Sequence, residues 1–99
     1  PATEPVTLPP ATPVERSVIY FYDVPGAKQS VLRIQRPSLT ALDADYPLAT
    51  AANFLLGGIY TSQLMTELRV NRGYTYGIRS RFSGAKDRGD FTISSSVRS

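Results

Sequence analysis

The stretch from Gly57 to Gly77 most constrains how this chain can fold, because its glycines separate segments of different periodicity. Two adjacent glycines close an apolar run, and Ser62 to Asn71 then carries apolar side chains at helical spacing. Gly73 can take the left-handed conformation at the end of that helix without a Cβ penalty. Tyr74 to Tyr76 then begins a strand. The pattern predicts a helix, a sharp turn and a strand in direct succession.

This succession places two polar side chains near one another. Arg69 lies in the last turn of the predicted helix and Tyr76 at the start of the strand, so the turn at Gly73 can bring both to one point. The pattern alone leaves alternatives open. An arginine near a helix C-terminus is favourable with the helix dipole whatever else it does. Tyr76, on the same predicted strand face as Ile78, is also compatible with a place in the core.

Composition limits the chemistry that this chain can carry. Its 99 residues include no His and no Cys, which excludes disulfides, thiol chemistry and imidazole catalysis. A zinc site built by this chain is not expected, because carboxylates alone rarely hold zinc. No apolar run approaches the ~20 residues that a membrane span needs.

The net charge of +3 is spread unevenly, with arginines concentrated between residues 69 and 99. One interpretation is a nucleic-acid surface with neighbouring aromatic side chains as stacking platforms. The other is a set of solvated arginines on the outer face of a hairpin. We favour the second, because no nucleic-acid motif or clustered Lys/Arg stripe accompanies them.

The first third of the chain predicts a linker and two strands. Residues 1–13 are proline-rich without apolar periodicity, which is typical of an extended linker before a domain at 14–99. Ser17–Tyr22 is β-branched and aromatic, and predicts a strand inside a sheet. Val24–Ala27 has the Pro-Gly centre of a type II turn. Gln29–Gln35 alternates and predicts the second strand.

The middle of the chain predicts a first helix that ends at the glycine pair. Asp43 or Asp45 is a candidate N-cap, and Pro47 is tolerated only in the first turn. Apolar residues then repeat at helical spacing and small alanines permit close packing, so this stripe is expected to face a sheet. The stripe consists of Leu48, Ala51, Ala52, Leu55 and Leu56.

Residues Tyr74 to Val97 predict an antiparallel hairpin with its loop at Ser83–Gly89. One face of the hairpin is expected to be apolar, with Tyr74, Tyr76, Ile78, Phe82, Phe91, Ile93 and Val97. The order strand, strand, helix, helix, strand, strand predicts an α+β fold of two layers. Its mainly antiparallel sheet would carry two helices on one face.

Five motifs follow one another along the chain: Asp23–Ser30, Asp45–Pro47, Leu56–Gly58, Ser62–Arg69 and Arg72–Gly77. Together they resemble the pitrilysin/insulinase family of zinc peptidases, which includes the mitochondrial processing peptidases and bacterial-type members. The resemblance runs from about Val14 to Ser99. Family members are built from repeated α+β units, one of which carries a His-x-x-Glu-His zinc motif. Without His, this chain resembles the metal-free, inactive C-terminal-type unit.

The resemblance implies a role for each part. This unit would close the proteolytic chamber, while zinc and catalysis would belong to a partner domain or subunit. Arg69 and Tyr76, seven positions apart around Gly73, would donate to the carbonyl oxygen of a peptide substrate. Such donors can contribute ~3–4 kcal/mol each. Alone, the chain would be inactive. The alternative is a catalytically inert scaffold or interaction subunit.

Further expectations concern the extent, association and location of this chain. The family unit continues into more helices and another strand, so this chain is expected to be its N-terminal part. Uncovered apolar surface and open strand edges would then favour self-association of the isolated chain. Bacterial relatives suggest a cell-envelope location. No nucleic-acid partner is expected.

Overall fold

The chain forms an α+β fold in which a three-stranded antiparallel sheet, in the order β1-β3-β2, carries helical segments on one face. This computed structural model describes residues 3–6, 9 and 12–98. The elements are β1 Gln29–Ser38, α1 Tyr46–Asn53, α2 Gln63–Met65, β2 Thr75–Gly84 and β3 Gly89–Arg98. The predicted fold class is confirmed.

Both helices widen into π-helical turns before they end. The first continues over Phe54–Gly58 and stops where Ile59 becomes extended, as the glycine pair predicted. The second begins after Ser62, whose side-chain oxygen accepts a hydrogen bond from the Met65 N–H at 3.4 Å. It continues over Thr66–Asn71. Within the part of the chain that the structure describes, no helix has the length and apolar character to cross a membrane.

The predicted hairpin and the turn before β1 are both confirmed. Chain reversal at Pro25–Gly26 uses a positive φ of 78° at the glycine, as a type II turn requires. In the hairpin, Phe82 lies opposite Phe91 with ring centroids 4.7 Å apart. Both rings share the sheet face of Ile78, on which the helices pack.

The interface between the helices and β2 contains more buried polar residues than apolar ones. Met65 and Ile78 are its buried apolar side chains within the described residues. Asn53 donates to the Ser80 carbonyl at 2.7 Å and accepts from the Ser80 hydroxyl at 2.5 Å. Gly57 lies so close to this strand that a Cβ there would stand 2.7 Å from the Ser80 nitrogen. The glycine therefore allows the close approach that the Asn53 hydrogen bonds need.

The predicted interior strand at Ser17–Tyr22 is wrong. These residues form no strand and remain solvent-exposed, with Ile19 reaching 89% exposure. A strand needs a neighbour for its backbone hydrogen bonds, and β1 pairs only with β3 in the described sheet. The β-forming composition of Ser17–Tyr22 was therefore not sufficient to make it a strand of the described sheet.

The predicted orientation of α1 is also wrong. Its apolar stripe points away from the sheet, and Leu48 is 72% exposed. The face toward β2 instead carries Tyr46 and Asn53, whose side chains bond the strand backbone. The Tyr46 hydroxyl donates to the Phe82 carbonyl at 3.4 Å and accepts from the Gly84 N–H at 3.1 Å. These polar anchors set the rotation of the helix and leave the leucines outside.

The start of α1 is capped differently from the prediction. Asp45 occupies the N-cap position but makes no side-chain capping bond. Asp43 instead accepts a hydrogen bond from the Thr40 N–H at 2.6 Å in the preceding turn. Pro47 lies in the first turn, where its missing N–H is harmless.

Candidate functional site

The candidate site is built on the turn at Gly73, which joins the second helical segment to β2. Gly73 has a φ of 65°, the left-handed conformation that the sequence predicted. Its N–H donates to the Arg69 carbonyl at 3.1 Å, and the Tyr74 N–H donates to the Leu68 carbonyl at 2.9 Å. These bonds satisfy helix-terminal carbonyls and turn the chain directly into the strand.

Arg69 lies half-buried in the π-helical turns that end this segment. Its guanidinium donates to the Tyr60 hydroxyl, and the guanidinium carbon lies 4.9 Å from the centre of the Tyr60 ring. One aromatic side chain therefore holds the arginine by a hydrogen bond and a cation–π contact. Single π-helical turns within α-helices are frequent at functional sites.

Tyr76 does not share the face of Ile78, which corrects the predicted pattern. A β-bulge between Thr75 and Gly77 shifts the register of β2 against β3 by one residue. Thr75 is therefore the buried residue, and its hydroxyl donates to the Ser96 carbonyl at 2.6 Å. Tyr76 is 64% exposed. A bulge redirects side chains in this way because two residues oppose one.

The two predicted donors each contact a different neighbour. A long contact of 3.5 Å separates the Tyr76 hydroxyl from the Arg98 guanidinium of β3, while Arg69 is held by Tyr60. Among the described residues, no hydrogen bond joins Arg69 to Tyr76. The paired role of Arg69 and Tyr76 stays a prediction.

An exposed ion pair lies beside Arg69 on the same helical segment. Arg72 Nε contacts the Glu67 carboxylate at 2.5 Å, and the Asn71 amide donates to the same carboxylate at 3.2 Å. The Arg72 guanidinium, and then Asn71, lower the pKa of Glu67 below its ordinary value. The pKa of Arg72 is raised, first by Glu67 and then by Tyr74. Arg72 is thus already paired, which distinguishes it from Arg69.

Comparison with protein families decides what this arrangement belongs to. A sequence model described as the peptidase M16 inactive domain matches residues 1–99. The chain belongs to the peptidase M16 inactive-domain family. The resemblance to the pitrilysin/insulinase peptidases, and specifically to their inactive type of domain, is confirmed.

A solved structure supports the same assignment of this M16 inactive domain. The chain is similar to the crystal structure of a peptidase M16 inactive domain from Pseudomonas fluorescens, at 34% identity and a TM-score of 0.69. The match covers 73% of this chain and 18% of that chain. Comparison with curated proteins gives no match.

The M16 inactive domain offers no cluster of metal ligands in its described part. No group of three or more His, Cys, Asp or Glu side chains comes together there. The family model that matches this chain is described as the inactive domain of peptidase M16.

Two contributors to the site were missed in the sequence. Tyr60 precedes the helix of Arg69, and nothing in its spacing shows that it would reach the far end of that helix. The bulge at Thr75 was also missed. Its sequence signal is Gly77, because glycine within a strand often marks a bulge.

Proposed function

We propose that this M16 inactive domain works beside a zinc-bearing catalytic domain, closes the proteolytic chamber, and donates hydrogen bonds from Arg69 and Tyr76 to the substrate carbonyl. The observation that carries the proposal is the outward position of Tyr76. The bulge removes it from the core and leaves its phenol accessible directly after the Gly73 turn. A tyrosine with only a packing role would be expected to lie on the buried face.

The chemistry of peptide hydrolysis fits these two groups. When a nucleophile attacks a peptide carbonyl, negative charge develops on its oxygen, and positioned donors stabilise that charge. The zinc of the partner domain would supply the activated water. Arg69 has five N–H donors, so its bond to Tyr60 leaves others for a substrate. Tyr60 is then a positioning residue, because it fixes the plane and place of the guanidinium.

The test uses the complete enzyme and compares each substitution with a neighbouring control. Tyr76→Phe is expected to lower kcat by ~10² or more with KM nearly unchanged, as loss of an oxyanion donor does. Tyr74→Phe, also on an exposed tyrosine, is the matched control and should turn over normally. Normal turnover in Tyr76→Phe, with an intact fold, would remove the tyrosine from the mechanism.

Arg69 is tested in the same way. Arg69→Lys is expected to lower kcat because an ammonium cannot reproduce a planar fork of donors or the stacking on Tyr60. Arg72→Lys is the control, since Arg72 is engaged by Glu67. Equal kcat values in the two variants would count against a catalytic role for Arg69.

A second candidate is a catalytically inert interaction subunit. It is favoured by the apolar side chains that remain exposed at Ser17–Tyr22 and on the outer side of α1. In that case Arg69 and Tyr76 would contribute to structure only. Purification of the native complex decides between the two, because the peptidase proposal requires a zinc-bearing subunit or domain in it.

A further inference from the structure

The face of the sheet opposite the helices carries three arginines. In the strand register, Arg33 of β1 and Arg79 of β2 both lie opposite Ser94 of β3. In the next row on the same face, Arg81 lies opposite Thr92. We call the surface formed by Arg33, Arg79, Arg81, Thr92 and Ser94 the arginine face. It borders a groove of about 410 Å³.

The positive charge of the arginine face is not neutralised within the described part of the chain. All three arginines are exposed. The ion pair formed by the described residues joins Arg72 to Glu67, at the end of the second helical segment rather than on this face. Asp90 lies at the end of the groove, where its carboxylate accepts a hydrogen bond from the Thr92 hydroxyl at 3.0 Å. One carboxylate against three guanidinium groups leaves a net positive surface.

The spacing of the arginines matches an extended peptide. Strands lie about 4.8 Å apart and alternate residues about 7 Å apart along a strand, so the Arg79 Cα is about 7 Å from that of Arg81 and about 10 Å from that of Arg33. Carboxylates at alternate positions of an extended chain have the same spacing of about 7 Å. Two such carboxylates can therefore meet Arg79 and Arg81 together.

We propose that the arginine face binds an extended peptide with acidic side chains at alternate positions. This inference rests on the proposed function, because it assigns a substrate class to the chamber that the domain would close. Guanidinium groups bind carboxylates through paired, charge-assisted hydrogen bonds. The hydroxyls of Ser94 and Thr92, which lie between the arginines, supply further hydrogen bonds to the peptide.

A nucleic acid fits this surface less well than a peptide. Binding of single strands uses aromatic side chains interleaved with the basic ones as stacking platforms. Phe82 and Phe91 of the hairpin share the opposite, helix-covered face with Ile78. The arginines of this face are instead interleaved with small hydroxyl side chains.

The binding test uses the complete protein, with zinc removed by a chelator so that peptide is not cleaved. The probe is a fluorescein-labelled peptide of four Glu-Thr repeats, compared by fluorescence anisotropy with its Gln-Thr counterpart. The Glu peptide should bind more tightly, and more weakly as salt is added. Arg79→Gln/Arg81→Gln should weaken it about tenfold, since two ion pairs at an exposed surface would be lost.

A charge-matched control distinguishes binding at the arginine face from an effect of the net charge of the protein. Lys86→Gln/Arg88→Gln removes the same two charges from the exposed loop between β2 and β3 and should leave binding of the Glu peptide nearly unchanged. Equal losses in the two double variants would overturn the proposal. So would tighter, competing binding of a single-stranded DNA octamer, which would favour the nucleic-acid alternative.

Failure here can be told apart from failure of the carbonyl-donor role. If Tyr76→Phe lowers kcat but the Glu peptide binds no better than the Gln peptide, only the substrate-class inference fails. If the Glu peptide binds as expected but Tyr76→Phe turns over normally, the arginine face stands as a peptide site and the donor role fails.

Discussion

Two regions of this domain reverse the usual relation between hydropathy and burial. Ser17–Tyr22 is a run of apolar and aromatic side chains, yet it lies exposed. The contact between α1 and β2 includes Asn53 and Ser80, both polar and both buried, with Ser80 only 1% exposed. Burial in this domain is thus decided by the available partners rather than by the hydropathy of a segment.

The two regions differ in whether their hydrogen-bonding groups find partners. Asn53 and Ser80 satisfy one another through two bonds, and within the described residues no buried side-chain nitrogen or oxygen lacks a partner. A buried polar group is tolerated when it is bonded and costs about 1–3 kcal/mol when it is not. Ser17–Tyr22 has strand-forming side chains, but no strand of the described residues pairs with its backbone.

The largest expected effect comes from adding a side chain at Gly57, where the helical segment lies against β2. Gly57→Ala would place a Cβ 2.7 Å from the Ser80 nitrogen and 3.0 Å from a methyl of Leu64. The backbone of β2 cannot move aside as a flexible side chain can, so the π-helical turn that contains Gly57 must separate from the strand. We expect a loss of about 3 kcal/mol in the free energy of unfolding, at the upper end for overpacking. Urea denaturation measures it.

The adjacent glycine is the control for that experiment. A Cβ on Gly58 would meet its nearest neighbours at 3.4 Å or more, and φ there is not positive. Gly58→Ala should therefore change stability far less than Gly57→Ala. Equal losses in the two variants would show that helix termination, rather than contact with Ser80, requires the glycines.

The second prediction concerns the polar pair itself. Asn53→Ala leaves the Ser80 hydroxyl and carbonyl without their buried partner, and we expect a loss of about 1–3 kcal/mol in the free energy of unfolding. A cycle with Ser80→Ala and the double variant isolates the coupling between the two side chains. If the losses in the free energy of unfolding from the two single variants add up to the loss in the double variant, the hydrogen bonds between Asn53 and Ser80 do not contribute to stability.

The exposed region should respond in the opposite way. Ile19→Ser with Phe21→Ser removes two large exposed side chains and is expected to change the free energy of unfolding by less than about 0.5 kcal/mol. The same change should weaken self-association of the isolated chain, measured by light scattering over a concentration series. A large loss of stability would show that Ser17–Tyr22 packs on the domain in solution.

The sequence predicted the parts of the fold that depend on local rules. Gly26 and Gly73 have the positive φ that their turns required, and the hairpin lies where its alternating residues indicated. These features follow from steric limits on φ and from the two-residue period of strands. The likeness of five short motifs to a peptidase family identified the domain type, which no single pattern could have done.

The predictions that were wrong depended on contacts between distant segments of the chain. The rotation of α1 is set by Tyr46 and Asn53, whose partners lie 27 or more positions away in β2. An apolar stripe predicts which side of a helix prefers burial, but it carries no information about polar anchors on another side. The position of Tyr76 failed for a related reason, since one bulged residue reverses the alternation beyond it.

The smallest effect on stability is expected at the exposed polar pair of Glu67 and Arg72. The Glu67 carboxylate is bonded by Arg72 at 2.5 Å and by Asn71 at 3.2 Å, so its pKa is lowered from the ordinary 4.5 in the folded chain. The contribution of the pair to stability is present above the unfolded pKa and is lost as pH falls through the folded one. Because solvent screens both groups, the change in unfolding midpoint should be hard to detect.

The carboxyl-carbon NMR titration of Glu67 is the sensitive measurement. Arg72→Ala should raise its pKa toward 4.5, while Arg88→Ala, which removes a charge elsewhere, should not. If Glu67 titrates identically in all three proteins, the ion pair does not persist in solution, and exposure cancels the pairing that burial preserves at Asn53.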